Sequence, residues 1–121
     1  MIFHSFFLKA ISLVMPEERE EFIKESTIMS ELISEYIVQF LGVVETTNKL
    51  CIVTEYMPLG SLDKALIKKK EVFTPRYKLR LAKDITKGIK FLHDNGIVHR
   101  DIKPGNVLIS SFSLSSPVVC K

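Results

Sequence analysis

The chain has 121 residues, of which 46% are hydrophobic and 26% are charged. That balance excludes wholesale disorder, and the length allows one small domain with a limited core. The net charge of +3 conceals two regions of opposite sign: residues 17–35 contain seven Glu against two cations, and residues 64–103 contain twelve Lys or Arg against four acids. No aromatic residues alternate with these basic residues to stack bases, so we expect no nucleic-acid partner.

The two cysteines, Cys51 and Cys120, form no disulfide or metal-binding pattern, which favours a reducing, cytoplasmic setting. The apolar residues 1–15 are open to interpretation as a strand, a helix or an unrelated segment. They could also pass for a signal peptide, but they lack a cationic start and a small-residue cleavage site, and Lys9 interrupts the apolar run. They are too short to span a bilayer, so we expect no membrane association within this chain.

Pro16 is typical of a helix start, and the Glu residues that follow it suit the positive end of the helix dipole. The periodicity predicts a helix to about Leu32 whose apolar face consists of Phe22, Ile28, Met29, Leu32 and Ile33. Glu25 falls in the middle of that face. Either the helix is only partly covered and Glu25 reaches water, or a lysine from a neighbouring strand pairs with it.

Two apolar runs, residues 36–44 and 50–57, are predicted to form an antiparallel hairpin with a turn at residues 45–49. Ser61 is a candidate N-cap for a short helix over residues 62–68, and Thr74-Pro75 begins a longer helix that continues to about His93. Asn95-Gly96 is typical of a left-handed C-cap.

The longer helix is strongly amphipathic. Its predicted apolar stripe consists of Tyr77, Leu81, Ile85, Ile89 and Leu92. Its opposite side carries Arg76, Arg80, Lys83, Lys87 and Lys90, which we interpret as a solvated basic side. After it, residues 106–109 and 117–121 are predicted to be short strands on either side of a serine-rich loop.

The most informative stretch is His99-Arg100-Asp101-Ile102-Lys103-Pro104-Gly105-Asn106, between the long helix and the apolar run Val107–Ile109. An Asp and an Asn five residues apart, with a Lys between them, suit a loop that holds a hydroxyl, a phosphate and a divalent cation. The pattern resembles the catalytic loop of protein kinases. The Gly-Ser-Leu at residues 60–62 and the Asp-Ile-Lys-Pro-Gly-Asn at 101–106 are similar to the tyrosine-kinase-like group.

The resemblance implies an α+β fold, an incomplete protein-kinase-like fold. It would comprise part of the small-lobe antiparallel sheet with its regulatory helix, the hinge, and the first part of the helical large lobe. We divide the chain into an uncertain segment, residues 1–15, and a partial kinase domain, residues 16–121. Residues 16–57 would be the small-lobe part and residues 58–121 the large-lobe part.

The resemblance also implies roles for individual loop residues. Asp101 would accept or orient the proton of the substrate hydroxyl, and Lys103 would neutralise the transferring phosphoryl group. A lysine two residues after the aspartate is the pattern of kinases that act on Ser or Thr of a protein substrate. Asn106 would ligate Mg²⁺. Arg100 would pair with a phosphorylated activation loop, and His99 would pack within the core.

In the small lobe, Glu25 matches the helix glutamate that pairs with the ATP-binding lysine, and Lys9 lies at about the expected separation from it. Phe7, however, stands where that lysine motif has an alanine. Met29, Phe40 and His99 would align as a packed column through both lobes.

The remaining implied contacts are with the nucleotide. Thr54 would guard the back of the ATP pocket, Glu55 and Met57 would offer backbone groups to adenine, and Leu108 would pack beneath the ring.

Several kinase motifs are missing from these residues. The sequence has no G-x-G-x-x-G and no V-A-I-K, and it ends just before the position of D-F-G. We therefore expect a kinase family member for ATP-dependent transfer to Ser or Thr whose isolated chain is inactive, because the transfer needs metal, lysine and loop together. The alternative is a non-catalytic, truncated kinase that acts as an interaction module.

Overall fold

The computed structural model describes residues 6–12, 16–46 and 49–121. They form two compact units. The first contains the described residues up to Ile33 together with Val38–Tyr56, and the second contains Ser34–Ile37 and Met57–Lys121. One antiparallel sheet, with a helix between its first two strands in the sequence and two further helices after its last strand, confirms the α+β class. The boundaries predicted for the domain and its two parts stay predictions.

The first unit contains a three-stranded antiparallel sheet in the order β1-β3-β2. Its strands are β1 (Phe6–Ser12), β2 (Phe40–Thr46) and β3 (Lys49–Glu55). The predicted hairpin is therefore confirmed, although residues 47 and 48 of its turn lie outside the described residues. The expectation of a strand from residue 36 is wrong, because β2 begins at Phe40 and residues 34–37 belong to the second unit.

Helix α1 (Pro16–Glu31) packs on this sheet unit with a face that overlaps the predicted one only in part, at Phe22. Phe22 and Ser26 are buried, and the Ser26 hydroxyl donates to the Phe22 carbonyl at 2.7 Å, which satisfies its polar group. Ile28 and Ile33, assigned to the apolar face, are exposed. The prediction overweighted side-chain hydrophobicity, since a small hydroxyl that bonds its own helix can be buried at little cost.

The second unit contains α2 (Leu62–Lys68), a 3-10 turn (Lys70–Val72), α3 (Pro75–Asp94) and a second 3-10 turn (Pro104–Asn106). Both predicted ends of α3 are confirmed. The Thr74 hydroxyl accepts from the Tyr77 N–H at 3.2 Å, and Gly96 has φ +74° just beyond the helix. None of the helices in the described ranges is long and apolar enough to cross a bilayer.

The core of the second unit joins α3 to the last fifteen residues of the chain. Tyr77 and Leu81 pack with Val107, Ile109, Val119 and Cys120, of which Ile109, Val119 and Cys120 are fully buried. Ile109 pairs antiparallel with Cys120 in an isolated bridge, so the two predicted strands are reduced to single bridging residues and Asn106 belongs to the preceding 3-10 turn. Burial raises the pKa of Tyr77 and of Cys120 to about 12, so both groups stay neutral.

Two polar residues of α3 hold the serine-rich loop against this core. Asp84 is only 1% exposed, and its carboxylate accepts from the Val119 N–H at 2.8 Å and from Arg80 Nε at 3.3 Å. The Arg80 guanidinium donates in turn to the carbonyls of Leu114, Ser116 and Pro117. Arg80 therefore does not belong to the solvated basic side, because its guanidinium donates to three backbone carbonyls of this segment.

We predict that Asp84→Ala lowers the free energy of unfolding by about 2–4 kcal/mol, because it leaves Arg80 and the Val119 N–H without their partner. Urea unfolding followed by circular dichroism measures the change. The matched control is Asp94→Ala, which breaks the exposed Lys90–Asp94 pair of the same helix and should cost less than about 1 kcal/mol. Equal effects of the two changes would contradict the proposed role of Asp84.

Gly88 lets residues 34–37 lie against α3. A Cβ atom at this position would be 2.8 Å from the Tyr36 carbonyl oxygen and 3.4 Å from the Ile37 side chain. Lys87, the residue before Gly88, also contacts Tyr36. Its Nζ lies 4.7 Å from the centre of the Tyr36 ring and donates to the Tyr36 hydroxyl at 2.8 Å. This contact therefore requires a residue without a side chain at position 88.

Gly88→Ala should destabilise the chain by about 1–3 kcal/mol, although alanine favours a helix by about 1 kcal/mol over glycine. The reason is the clash with the Tyr36 carbonyl, a backbone atom that cannot move alone. Thermal unfolding is the measurement. A glycine with no neighbour near its Cβ position, Gly42, gives the control, and Gly42→Ala should have a smaller effect.

Candidate functional site

The loop of residues 99–106 lies between two fixed points of the second unit. Upstream, the Ile97 N–H donates to the Leu92 carbonyl at 2.9 Å and closes the end of α3. Downstream, Val107 and Ile109 are buried in the core. A polar loop between a capped helix and a buried strand keeps its backbone position while its side chains remain free to meet a ligand.

The strand after the loop is hydrogen-bonded on both sides. The Leu62 N–H donates to the Val107 carbonyl and the Ile109 N–H to the Gly60 carbonyl, both at 2.8 Å. On the other side, Leu108 and Lys121 exchange two backbone hydrogen bonds of 2.9 Å. The start of α2 and the last described residues therefore flank Val107–Ile109, the segment that directly follows the loop.

Within the loop, the structure brings together the three residues predicted to act on substrate. Lys103 Nζ lies 3.0 Å from Asp101 Oδ2. The Asn106 side-chain amide donates to the Asp101 backbone carbonyl at 2.9 Å and to Asp101 Oδ2 at 3.0 Å. The turn Pro104–Asn106 makes this possible by folding residue 106 back toward residue 101.

The charge of the cluster is set by these contacts. The hydrogen bond from Lys103 lowers the pKa of Asp101, and the bond from Asn106 and the charge of Lys103 act in the same direction. Asp101 is therefore ionised at neutral pH. More than half of the Asp101 and Lys103 side-chain surfaces are exposed, so both can reach a substrate.

The donor set of Asn106 fits a role in binding Mg²⁺. Both of its amide hydrogens point to Asp101, which leaves the amide oxygen to face away as an acceptor. Amide oxygens are suitable ligands for this hard cation. In the described residues there is no cluster of three or more His, Cys, Asp or Glu side chains that could hold a metal, so Asn106 would supply one ligand only.

The two residues at the start of the loop differ from each other in role. His99 is exposed in this structure, and its expected packing within the core stays a prediction. Its Nδ1 instead accepts from the Asp101 N–H at 3.1 Å and orients that backbone. Arg100 has φ +67°, a left-handed conformation unusual for a residue with a side chain. Its pairing with a phosphorylated activation loop stays a prediction.

The residues assigned to ATP lie in both units. Thr54 and Glu55 end β3 in the first unit, where the Glu55 carboxylate accepts from the Gln39 N–H at 2.8 Å. Met57 and Leu108 are half-buried in the second unit. Their contacts with a nucleotide stay predictions.

Glu25, the other half of the predicted ion pair, is exposed on α1. This fits the first of the two interpretations, a helix that is only partly covered. Lys9 lies on β1, opposite Ile52 in the register, but its side chain lies outside the described part of the structure. The Glu25–Lys9 pair and the column of Met29, Phe40 and His99 therefore stay predictions.

Sequence reasoning missed the residues that hold this site in place, Arg80 and Asp84. The signal was available, because Asp84 lies between Leu81 and Gly88 on the buried face of α3. A carboxylate in such a position needs a partner, the same argument that was applied to Glu25. The partner, a backbone N–H 35 residues away, cannot be read from helix periodicity.

Comparison with known proteins identifies the class to which this loop belongs. Residues 5–120 match the family described as protein tyrosine and serine/threonine kinase. Because the match covers nearly all of the sequence, the chain belongs to this protein kinase family, and the resemblance found in the sequence is confirmed.

Individual relatives point the same way. The chain is 40% identical to serine/threonine-protein kinase STY17 and 41% identical to serine/threonine-protein kinase STY46, both of Arabidopsis thaliana, over 83% of its length. It is 38% identical to the serine/threonine/tyrosine-protein kinase HT1 of the same plant over 75% of its length. The chain spans only 18%, 18% and 24% of the lengths of these three relatives.

Lys103→Met should raise the pKa of Asp101 toward its ordinary value of 3.8, because it removes the strongest hydrogen bond to the carboxylate. Since the folded-state pKa is lowered, the stability that Asp101 contributes is present above about pH 4 and is lost as the pH falls through the folded pKa. A carboxyl ¹³C NMR titration measures this. Lys64→Met, a change at an exposed lysine without this contact, is the control and should leave the titration unchanged.

Proposed function

We propose that this chain forms the catalytic-loop region of a kinase that transfers the γ-phosphoryl group of ATP to a serine or threonine hydroxyl of a protein. The observation that supports it most directly is the cluster of Asp101, Lys103 and Asn106. The names of the matched relatives, which are serine/threonine kinases, support the choice of acceptor.

The proposed role of each residue follows from its contacts. Asp101 is ionised and exposed, so it can accept a hydrogen bond from the substrate hydroxyl and hold that oxygen toward the phosphorus atom. Lys103 lies beside it, and its ammonium group can balance the negative charge of the transferring phosphoryl group. His99 and Asn106 both bond to Asp101 and fix its orientation.

The cofactor implied by this function is Mg²⁺, and the amide oxygen of Asn106 would hold it. When bound, the ion would neutralise charge on the ATP phosphates. Asn106 is well suited to this because its amide nitrogen is already committed to Asp101, which prevents the amide from turning its hydrogens toward a cation.

We further propose that the 121-residue chain by itself transfers no phosphate. Phosphoryl transfer depends on positioning and on charges that act together. These residues contain the aspartate, lysine and asparagine of the loop but no glycine-rich motif and no D-F-G aspartate. With so few groups to bind its phosphates, ATP should bind weakly.

A chimera tests the first proposal, and the same assay on the chain alone tests the second. Residues 16–121 replace the equivalent residues of a complete serine/threonine kinase domain, and transfer from ³²P-labelled ATP to a Ser-containing peptide is measured. The chimera should be active, and Asp101→Asn should lower its kcat by about 10²–10⁴-fold. Asp94→Asn, an exposed carboxylate on α3, is the matched control and should have little effect.

Two outcomes would contradict the proposals. If Asp101→Asn and Asp94→Asn lowered kcat equally, the loop would not carry the chemistry. If the chain alone showed Mg-ATP-dependent transfer that Asp101→Asn abolished, the claim of its inactivity would fail.

The second candidate function is that of a non-catalytic interaction module. The observation that favours it is the exposure of large apolar side chains on α1 and just after it, with Ile28 53% and Ile33 73% exposed. The chimera distinguishes the two functions, because an interaction module has no need for an ionised Asp101.

A further inference from the structure

Once Arg80 is assigned to the serine-rich loop, four of the five residues on the predicted basic side of α3 remain exposed: Arg76, Lys83, Lys87 and Lys90, here called the basic stripe. On a helix of 100° per residue they lie within one narrow sector and extend over about 21 Å. Leu79 lies in the same sector and is 73% exposed. The surface is therefore a row of cations with one apolar side chain near its start.

The charges of the basic stripe are poorly compensated. Among the described residues, the Lys90–Asp94 contact of 2.6 Å is the one ion pair that any of the four makes. Lys83 and Lys87 are one turn apart, as are Lys87 and Lys90, and like charges at this spacing destabilise a helix. A helix face that only contacts water usually mixes positive and negative side chains. A row of like charges destabilises the helix, and no contact in the described part of the unit offsets that effect.

One member of the basic stripe is already held in position. Lys87 Nζ donates to the Tyr36 hydroxyl at 2.8 Å and lies over the ring, and that hydrogen bond raises the pKa of Lys87. An ammonium group whose rotamer is restricted before binding loses less entropy when a partner arrives. Lys87 is therefore a fixed positive charge at the side of the stripe.

We propose that the basic stripe is a docking surface for an acidic segment of another protein, one with carboxylates at one-turn spacing around an apolar residue that contacts Leu79. The charge pattern requires an anionic partner. The stripe has no exposed aromatic ring on which bases could stack, which disfavours a nucleic acid. The exposed Leu79 offers an apolar contact, which favours a polypeptide.

A segment of this chemistry occurs in the chain itself. Helix α1 exposes Glu21 and Glu25, which are one turn apart, and the exposed Ile28 follows on the next turn of the same side. A second copy of the chain could therefore offer the same chemistry, and the test must separate it from another protein. The catalytic loop contributes nothing to the stripe, so the proposal stands apart from the proposed function.

The test measures binding of a short fluorescein-labelled, Glu-rich helical peptide with a central Leu to the full chain by fluorescence anisotropy. At about 0.05 M salt, Arg76→Gln/Lys83→Gln/Lys90→Gln should weaken binding by about tenfold. The matched control, Lys64→Gln/Lys68→Gln/Lys69→Gln, removes the same charge from exposed residues of and beside α2 and should change affinity by less than about twofold.

Two further changes separate the electrostatic contribution to peptide binding from the apolar one. At about 0.5 M salt the effect of the triple change in the stripe should nearly vanish. Leu79→Ser, a single exposed substitution that leaves the core untouched, should weaken binding at both salt concentrations. Asp101→Asn should bind the peptide as the unchanged chain does, and circular dichroism confirms that each variant is folded.

Four results would overturn the proposal. The first is an equal loss of peptide affinity in the two triple variants, and the second is an unchanged affinity in Leu79→Ser. The third is stripe-dependent binding of a single-stranded DNA oligonucleotide that is tighter than binding of the peptide. The fourth is self-association in sedimentation that the triple change in the stripe abolishes, since it would identify a second copy as the occupant.

Discussion

The contact between Asp84 and Arg80 is the constraint on which the second unit depends. A buried carboxylate is tolerated only with partners, and Asp84 has two, the Val119 N–H and the Arg80 guanidinium. Through Arg80 the same contact holds three carbonyls of the serine-rich loop. One helix thus fixes a segment more than 30 residues away in the sequence.

The position of the catalytic loop follows from that segment. With Val119 and Cys120 held against α3, Cys120 pairs with Ile109, and Lys121 with Leu108. These pairings fix the strand that directly follows Asn106. The geometry of Asp101, Lys103 and Asn106 is therefore a consequence of core packing and backbone pairing, and it needs no buried side chain within the loop itself.

Much of this could be predicted from the sequence because the signals were local. The ends of α3, the hairpin and the catalytic loop all depend on residues within a few positions of each other. The failures required information from distant residues. The expected strand at residue 36 is replaced by a contact with Gly88, and the exposure of Ile28 and Ile33 reflects how little of α1 the sheet unit covers. Arg80 was misplaced for the same reason.

The three loop residues are exposed, so the residues proposed for catalysis are not those that stabilise the fold. Asp101 and Lys103 have more than half of their side-chain surface in solvent, and Asn106 is also exposed, so none of them fills the core. Replacing them would remove little of what stabilises the unit. If these residues have the proposed roles, a single substitution removes catalysis and keeps the fold intact, so the scaffold can outlive its chemistry during evolution.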